Sequence, residues 1–370
     1  MREVSSELAA WIREGRSFAL ASVVTVCGSA PREPGAVLAV DADGVAVGSV
    51  SGGCVEGAAY ELCRQVLETG EPVLQEFGYS DDDAFAAGLT CGGRIELYVQ
   101  RIDPIVGAAL STVDAGTPVA LARDLPSGRA LIVTPDGVRG TLGSPRKDRA
   151  VVAQARALLE SGRTDRLRCI GGRDVDIFIE AYAPPPRLLV FGAIDFAAAL
   201  VRVGKLLGYR VTVCDARPVF ATRQRFPEAD DVVADWPHRY LRTAEVDSRT
   251  AICVLTHDLK FDVPLLKQAL RLPVGYVGAM GSRRTHEQRL EALREAGVSA
   301  TELARLRSPI GLALGGRTPE ETAISIAAEL VAVKNGGSAN PLSMLEGPIH
   351  DPDVLKRRRN ARRPATPLAA

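Results

Sequence analysis

The chain has 370 residues, of which 46% are apolar and 24% charged, and this length predicts two domains or, at most, three. Lysine and arginine together number 45, as do aspartate and glutamate, and this balance argues against nucleic-acid or anionic-membrane partners. No apolar run reaches the ~20 residues of a membrane span, and Met1–Ala10 lacks the features of a signal peptide, which predicts a soluble cytoplasmic protein.

The first half of the chain contains an internal repeat. Gly35–Gly44 resembles Gly128–Gly137, and Gly92–Val99 resembles Gly171–Ile179. In each copy the pattern predicts a strand, a hairpin turn at Asp-Gly, a second strand, a helix, and a final strand after Gly-Gly. We therefore expect residues 1–183 to form an α+β domain built from two related halves.

The seven cysteines are dispersed along the chain, and no pair has the C-x-x-C spacing of a zinc site. We expect free thiols, so a cysteine with a function would act through its reactivity. The repeat helps to select candidates, because fold-maintaining residues should recur in both copies. Cys54 aligns with Arg146 and Cys91 with Ile170, so both thiols are confined to the first copy.

The segment from Gly48 to Glu56 runs from a predicted strand into a predicted helix. Gly52 and Gly53 would allow a ligand to approach the backbone closely. We predict that Cys54 lies in the first turn of the helix, where the helix dipole favours a thiolate. Cys63, in contrast, is expected in the core.

Two further loops of the first copy carry groups suited to an anionic ligand or a soft metal. Cys91 lies between Thr90 and a Gly-Gly pair, and the segment from Gly28 to Arg32 adds a hydroxyl and a guanidinium. Because these loops lie at equivalent strand ends, we predict one pocket. Its reactive, metal-contacting thiols would be Cys54 and Cys91. Its cofactor-binding residues would be Gly28, Ser29, Arg32, Ser51, Gly52, Gly53 and Gly92.

A proline run, Pro184–Pro186, predicts a domain boundary. Alternating strands and helices then predict a Rossmann-like, doubly wound parallel sheet over residues 187–337. The basic segment 338–370 lacks periodicity and is expected to be a flexible tail. The predicted strands are Leu188–Phe191, Arg210–Cys214, Asp231–Ala234, Ala251–Leu255 and Gly275–Val277. The predicted helices are Phe196–Leu207, Val263–Leu270, Arg283–Ala296 and Pro319–Lys334.

The segment after the first of these strands departs from the dinucleotide fingerprint. Gly192 is present, but Ile194 replaces the glycine over which a pyrophosphate would pass, and Asp195 adds a repelling charge. Asp215, at the end of the second strand, is placed to bind a ribose. NAD(P) is therefore expected to bind weakly or not at all.

Two other predicted loops face the same crevice. His257 and Asp258 follow the fourth strand and could act as an acid–base pair or as ligands. Gly278, Gly281 and Ser282 follow the fifth strand, where a glycine turn opens a helix and could hold a phosphate.

The ordered set of motifs resembles the XdhC/CoxI family of accessory proteins for molybdenum hydroxylases. The matching segments are Gly28–Arg32, Gly48–Glu56, Leu89–Gly93, Leu207–Arg217, His257–Asp258, Tyr276–Ser282 and Ile310–Glu321. The family joins a cysteine-bearing N-terminal domain to a Rossmann domain, and its members usually carry a G-x-G-H stretch where this chain has Gly192–Asp195.

The resemblance implies transient binding of molybdenum cofactor (molybdopterin), support of its sulfuration, and its delivery to a client such as xanthine dehydrogenase. The expected partners are that client, a cysteine desulfurase and a second copy of the chain. Two alternatives remain open. One is a genuine NAD(P)-dependent oxidoreductase, and the other is a non-catalytic module whose Rossmann domain serves only for dimerisation or docking.

Overall fold

A computed structural model describes residues 2–28, 32–78 and 93–346. The chain divides into two compact units, one ending at Pro184 and the other beginning at Pro185. None of the helices in the described part of the chain has both the length and the hydropathy that a membrane span requires.

The first unit contains the same succession of elements twice. The first copy comprises α1 (Ser5–Arg13), β1 (Phe18–Cys27), β2 (Val37–Asp41), β3 (Ala46–Gly48), α2 (Glu56–Thr69), β4 (Val73–Phe77) and β5 (Arg94–Arg101). The second comprises α3 (Pro104–Asp114), β6 (Val119–Asp124), β7 (Ala130–Thr134), β8 (Gly137–Gly140), α4 (Pro145–Ser161), β9 (Asp165–Ile170) and β10 (Arg173–Tyr182).

Each copy forms a five-stranded antiparallel sheet with the same strand order. The orders are β3-β2-β1-β5-β4 and β8-β7-β6-β10-β9. The predicted internal repeat is therefore confirmed. It is larger than the sequence pattern indicated, because each copy also includes a leading helix, a long central strand and an edge strand after the second helix.

The two sheets share a core. Helix α2 packs against one face of the first sheet, and α4 packs against the corresponding face of the second. Side chains from both sheets meet in a small buried cluster of Val24, Tyr98, Leu125 and Phe178. An ion pair between Arg123 and Glu180 is also buried, with its side chains 0% and 1% exposed.

The second unit is a six-stranded parallel sheet with the order β13-β12-β11-β14-β15-β16. This is the strand order of a Rossmann fold, as predicted. Its strands are β11 (Arg187–Phe191), β12 (Arg210–Asp215), β13 (Asp231–Ala234), β14 (Ala251–Val254), β15 (Tyr276–Ala279) and β16 (Leu306–Arg307). Its helices are α5 (Asp195–Leu206), α6 (Pro237–Thr243), α7 (Leu259–Ala269), α8 (Arg283–Glu295), α9 (Ala300–Leu303) and α10 (Pro319–Asn335).

The predicted strands and helices of this unit match the structure to within two residues at each end, except at the start of α7. Helix α7 begins at Leu259, earlier than the predicted Val263, because the side chain of Asp258 caps its N-terminus. Strand β15 extends to Ala279, so Gly278 lies within the strand and not in the loop after it. The short elements α6, α9 and β16 were not predicted.

Candidate functional site

The strands of the first sheet place the loops singled out in the sequence at one end of the sheet. Cys27, at the end of β1, is opposite Arg94 at the start of β5, and Phe77, at the end of β4, is opposite Ile95. The connections that follow β1 and β4 therefore leave from the same end of the sheet. We call this end the loop edge.

The connection from β3 into α2 leaves from the loop edge as well. Val37, at the start of β2, pairs with Ser22 on β1, and Gly48, at the end of β3, pairs with Leu38. Three of the sequence-selected site residues, Ser29, Cys91 and Gly92, lie outside the described residues, so their part in this site stays a prediction.

The equivalent edge of the second sheet has only short connections. Strands β9 and β10 are joined by Gly171 and Gly172 alone, both with positive φ, where the first copy has the connection 78–93. Residues 125–129 join β6 to β7, whereas 28–36 join β1 to β2. The larger loops are thus confined to the first copy.

The carboxylate of Glu56 organises the turn between β3 and α2. Its Oε1 accepts hydrogen bonds from Ser49 Oγ (2.7 Å), Ser51 N (2.8 Å) and Val50 N (3.2 Å). Its Oε2 accepts from Gly53 N (2.7 Å) and from the Ser51 hydroxyl. Five donors therefore converge on one side chain.

These donors set the charge state of Glu56. Partial burial by itself would raise the pKa of the carboxyl group, but the hydrogen bonds from Ser51, Ser49 and Gly53 outweigh it and lower the pKa to about 2. Glu56 is therefore ionised at neutral pH.

Cys54 lies on this turn, outside the helix. Helix α2 begins at Glu56 with Val55 as its N-cap, so the prediction that Cys54 occupies the first helical turn is wrong. The thiol is half-buried and packs against the apolar cluster beneath α2. Gly52 and Gly53 have φ values of 76° and 125°, and a Cβ added at Gly53 would meet no atom within 4 Å. The turn is thus open at Gly53, the residue before Cys54 in the chain.

Two other predicted site residues have contacts of their own. Ser51 is buried, and its hydroxyl accepts a hydrogen bond from Val55 N (2.9 Å) while donating to Glu56, so it holds the turn. Arg32 forms an exposed ion pair with Glu3 (3.2 Å). Gly28 is exposed and has a positive φ of 76°.

The remaining thiols of the first unit differ in accessibility. Cys63 is fully buried on α2, as predicted, and burial raises the pKa of its thiol to about 12. Cys27 is exposed at the loop edge, a position that the sequence analysis did not select. In the part of the chain that the structure describes, no group of three or more His, Cys, Asp or Glu side chains could hold a metal ion.

In the second unit, the turn after β11 is closed by Asp215. The backbone N–H of Ala193 donates to Asp215 Oδ2 (2.7 Å), and the guanidinium of Arg217 donates to both carboxylate oxygens (2.9 and 2.8 Å). Asp215 is 3% exposed. The carboxylate predicted to bind a ribose is therefore engaged by the protein itself.

Gly192 is required by packing in this turn. Its φ is 113°, and an added Cβ would lie 3.0 Å from Thr256 Cγ2 and 3.1 Å from Thr256 N. Ile194 follows as the N-cap of α5, without a side-chain hydrogen bond to the helix. Gly192 therefore allows the turn after β11 to pack closely against Thr256, which follows the end of β14.

Two further residues that the sequence placed in the crevice, Asp258 and Ser282, each cap a helix. Asp258 accepts a hydrogen bond from Lys260 N (3.1 Å) and pairs with the Lys260 side chain, whereas His257 is exposed. Ser282 caps α8 through Thr285 N (3.1 Å).

Both glycines after Val277 lie in close packing. A Cβ at Gly278 would come within 2.5 Å of Ile310 Cδ1, and one at Gly281 would lie 3.1 Å from Thr285. Gly278 is thus covered by Ile310, which leaves a ligand no access to that side of its backbone.

A buried ion pair, which the sequence did not predict, links the loops at this end of the parallel sheet. Asp262 and Arg289 are both fully buried and lie 2.8 Å apart. Asp262 also accepts from the hydroxyl of Thr256, while Arg289 donates to Ser308 Oγ (3.2 Å) and Met280 O (2.9 Å). The pair thereby links the segments that follow β14, β15 and β16.

Comparisons with known proteins identify relatives over most of the chain. The molybdenum cofactor insertion chaperone PaoD of Escherichia coli is 28% identical, covering 87% of this chain and 85% of that protein. A probable xanthine dehydrogenase subunit of Bacillus subtilis is 26% identical, and the match covers 88% of this chain and 96% of that protein. A crystal structure described as a xanthine dehydrogenase from Bacillus halodurans shares the fold, with a TM-score of 0.67, 23% identity, and coverage of 96% of this chain and 98% of that one.

Two family models match in succession along the chain. The model of the XdhC and CoxI family matches residues 11–78 and again 113–170, once in each copy of the repeat. The model of the XdhC Rossmann domain matches residues 188–330, within the parallel-sheet unit. The chain therefore belongs to the XdhC and CoxI family.

Proposed function

We propose that this protein is an accessory factor that takes up molybdenum cofactor as cargo and delivers it to a xanthine dehydrogenase-type molybdenum hydroxylase. The names of the two curated relatives, a molybdenum cofactor insertion chaperone and a probable xanthine dehydrogenase subunit, support this role. The structural observation that carries the proposal is the half-buried Cys54 on an open glycine turn at the loop edge.

The chemistry of this turn suits a transient contact with such cargo. A thiol is a soft ligand that binds molybdenum far better than a hydroxyl does. The open space at Gly53 would let a ligand approach the backbone of the turn next to Cys54. Cys91, outside the described residues, is proposed as a second thiol of the same site.

We further propose that the protein supports sulfuration of the cargo, with a cysteine desulfurase as a partner and a second copy of the chain as its dimer mate. In this role the thiols hold the cargo, and the desulfurase supplies the sulfur. The proposed residues of the cargo site in the described part are Cys54, Gly52, Gly53, Gly28 and Arg32.

Direct NAD(P) chemistry is less well supported by the second unit. Asp215 is engaged by Ala193 N and Arg217, so a ribose hydroxyl would have to replace internal hydrogen bonds. Turnover of NAD(P)H by the purified protein alone, unaffected by loss of Cys54, would favour the oxidoreductase alternative.

The proposal is tested by measuring molybdenum and pterin in protein purified from its native host. The wild type and Cys63→Ser, a control that alters only a buried thiol, should both retain cargo. Cys54→Ser should be depleted of it, because serine preserves the shape but not the soft donor. Absence of pterin from the wild type while the host is maturing its molybdenum hydroxylase would overturn the proposal.

A further inference from the structure

We propose that Glu56 is a positioning residue that fixes the glycine turn before α2 and thereby holds Cys54 at the loop edge. This inference rests on the proposed function of Cys54 and deepens it. The internal repeat supplies the comparison that supports it.

The two copies can be aligned by a matching pair of glycines. Gly48 and Gly140 both have positive φ, and an added Cβ would lie 2.3 Å from Val37 O and 2.4 Å from Ala130 O, respectively. Counting onward from these glycines, Glu56 in the first copy corresponds to Asp148 in the second.

Glu56 and Asp148 make the same basic contact. Asp148 accepts hydrogen bonds from Thr141 Oγ1 (2.7 Å) and Leu142 N (2.7 Å), just as Glu56 accepts from the equivalent hydroxyl and amide. This shared part of the interaction joins the strand to the helix in both copies and is architectural. The first copy alone adds the bonds from Ser51 and Gly53.

The helices nevertheless begin at different places. In the second copy Ser144 is the N-cap and α4 starts at Pro145, so Arg146, the residue aligned with Cys54, is helical. In the first copy α2 starts only at Glu56, and Cys54 precedes it. The first copy has therefore lost the helical turn in which Cys54 would otherwise lie.

The residues of the turn explain this difference. Gly52 and Gly53 replace the favourable N-cap and N1 residues Ser144 and Pro145, and their positive φ values are incompatible with a right-handed helix. A glycine turn gains little order from its own conformational preferences. The bond from Gly53 N to Glu56 Oε2 supplies the constraint immediately before Cys54.

The contact needs a carboxylate of the correct length. The donors fill both oxygens of Glu56, so an amide in its place would direct an NH2 group at some of them. Asp148 shows that the shorter aspartate still reaches the hydroxyl and amide at the strand end. Glu56→Asp should therefore keep the architectural contact and lose the bonds to Ser51 and Gly53.

The test is the alkylation rate of Cys54 in purified, cargo-free protein, with exposed Cys27 as an internal reference for the reagent. Glu56→Gln and Glu56→Asp should each speed alkylation of Cys54 by about fivefold or more, because the released turn opens locally. Asp148→Asn, the matched control in the second copy, should leave the rate unchanged.

If Glu56→Gln does not fold, Glu56→Asp still decides the matter, since its architectural contact is retained. Rates within twofold of the wild type in a folded Glu56→Asp protein would overturn the inference. The measurement needs no cargo, so it is separable from the proposed function. Cargo retained by Cys54→Ser would refute that function without altering the alkylation result.

Discussion

Glu56 and Asp148 occupy equivalent positions in the two halves of the first unit, yet α2 begins at Glu56 whereas α4 has already begun at Pro145. Each carboxylate joins its helix to the preceding strand. Only Glu56 also holds a glycine turn, and only that turn carries a cysteine. The difference between the copies thus coincides with the candidate site.

Giving the first copy the helix start of the second should abolish the site without unfolding the protein. In Gly52→Ser with Gly53→Pro, α2 should begin at residue 53, because proline cannot adopt the present φ of 125°. Cys54 would then enter the first helical turn. We expect loss of cargo retention with a melting temperature within about 5 °C of the wild type.

Circular dichroism and cargo analysis of this double variant provide the measurement. Pro145→Gly in the second copy is the control for altering a helix start away from the cysteine. Undiminished cargo in the double variant, with the added helical turn verified, would show that the unwound turn has no part in binding.

The described cysteines should be alkylated in an order set by the burial of their thiols. Cys27 and Cys169 are exposed and Cys54 is half-buried, so these three should react in the folded protein. Cys63 and Cys214 should react roughly a hundredfold more slowly near pH 8, because burial raises the pKa of each to about 12.

Peptide mapping by mass spectrometry after timed alkylation would measure this order. Unfolding in guanidinium is the control and should make all six thiols react alike. Cys63 reacting as fast as Cys54 in the folded state would contradict the placement of Cys63 in the core.

The sequence was most informative where a local pattern decides the structure. Strand β13 and the start of α8 were predicted to the residue, because a short apolar segment forms the strand and a glycine turn opens the helix. The start of α2 was mispredicted, since it depends on a side chain that reaches backward from Glu56. The pair of Asp262 and Arg289 was missed, because polar residues on amphipathic helices are ordinarily exposed and only the tertiary fold brings these two together.

Glu56 should contribute to stability in a pH-dependent manner. Its pKa falls from an ordinary value of 4.5 to about 2 on folding, so its contribution is fully present above about pH 5 and is lost as the pH falls toward 2. The contribution is on the order of 2 kcal/mol at neutral pH. Glu56→Gln should therefore be less stable than the wild type at pH 7, and the difference should shrink by pH 3.

Urea unfolding at pH 7, 4 and 3 measures this dependence. Glu68→Gln, at an exposed position of the same helix, controls for the loss of a negative charge. An equal deficit of the Glu56→Gln variant at all three pH values would contradict the assigned pKa shift.

NAD(H) should bind weakly or not at all. Ile194 occupies the place of the fingerprint glycine, and the Ala193 N–H that could face a pyrophosphate is donated to Asp215. Titration calorimetry should detect no low-micromolar binding. Ile194→Gly with Asp195→His should improve the affinity by reopening the turn and removing a negative charge, and low-micromolar binding by the wild type would refute this account.

The most direct test of the central claim is the activity of the client molybdenum hydroxylase in a host whose own copy of this protein carries Cys54→Ser. We expect the client polypeptide to accumulate normally but to be inactive for want of matured cofactor, whereas Cys63→Ser should leave client activity intact. Full client activity in the double variant Cys54→Ser, Cys91→Ser, at normal levels of both proteins, would contradict a thiol-based role in cofactor delivery.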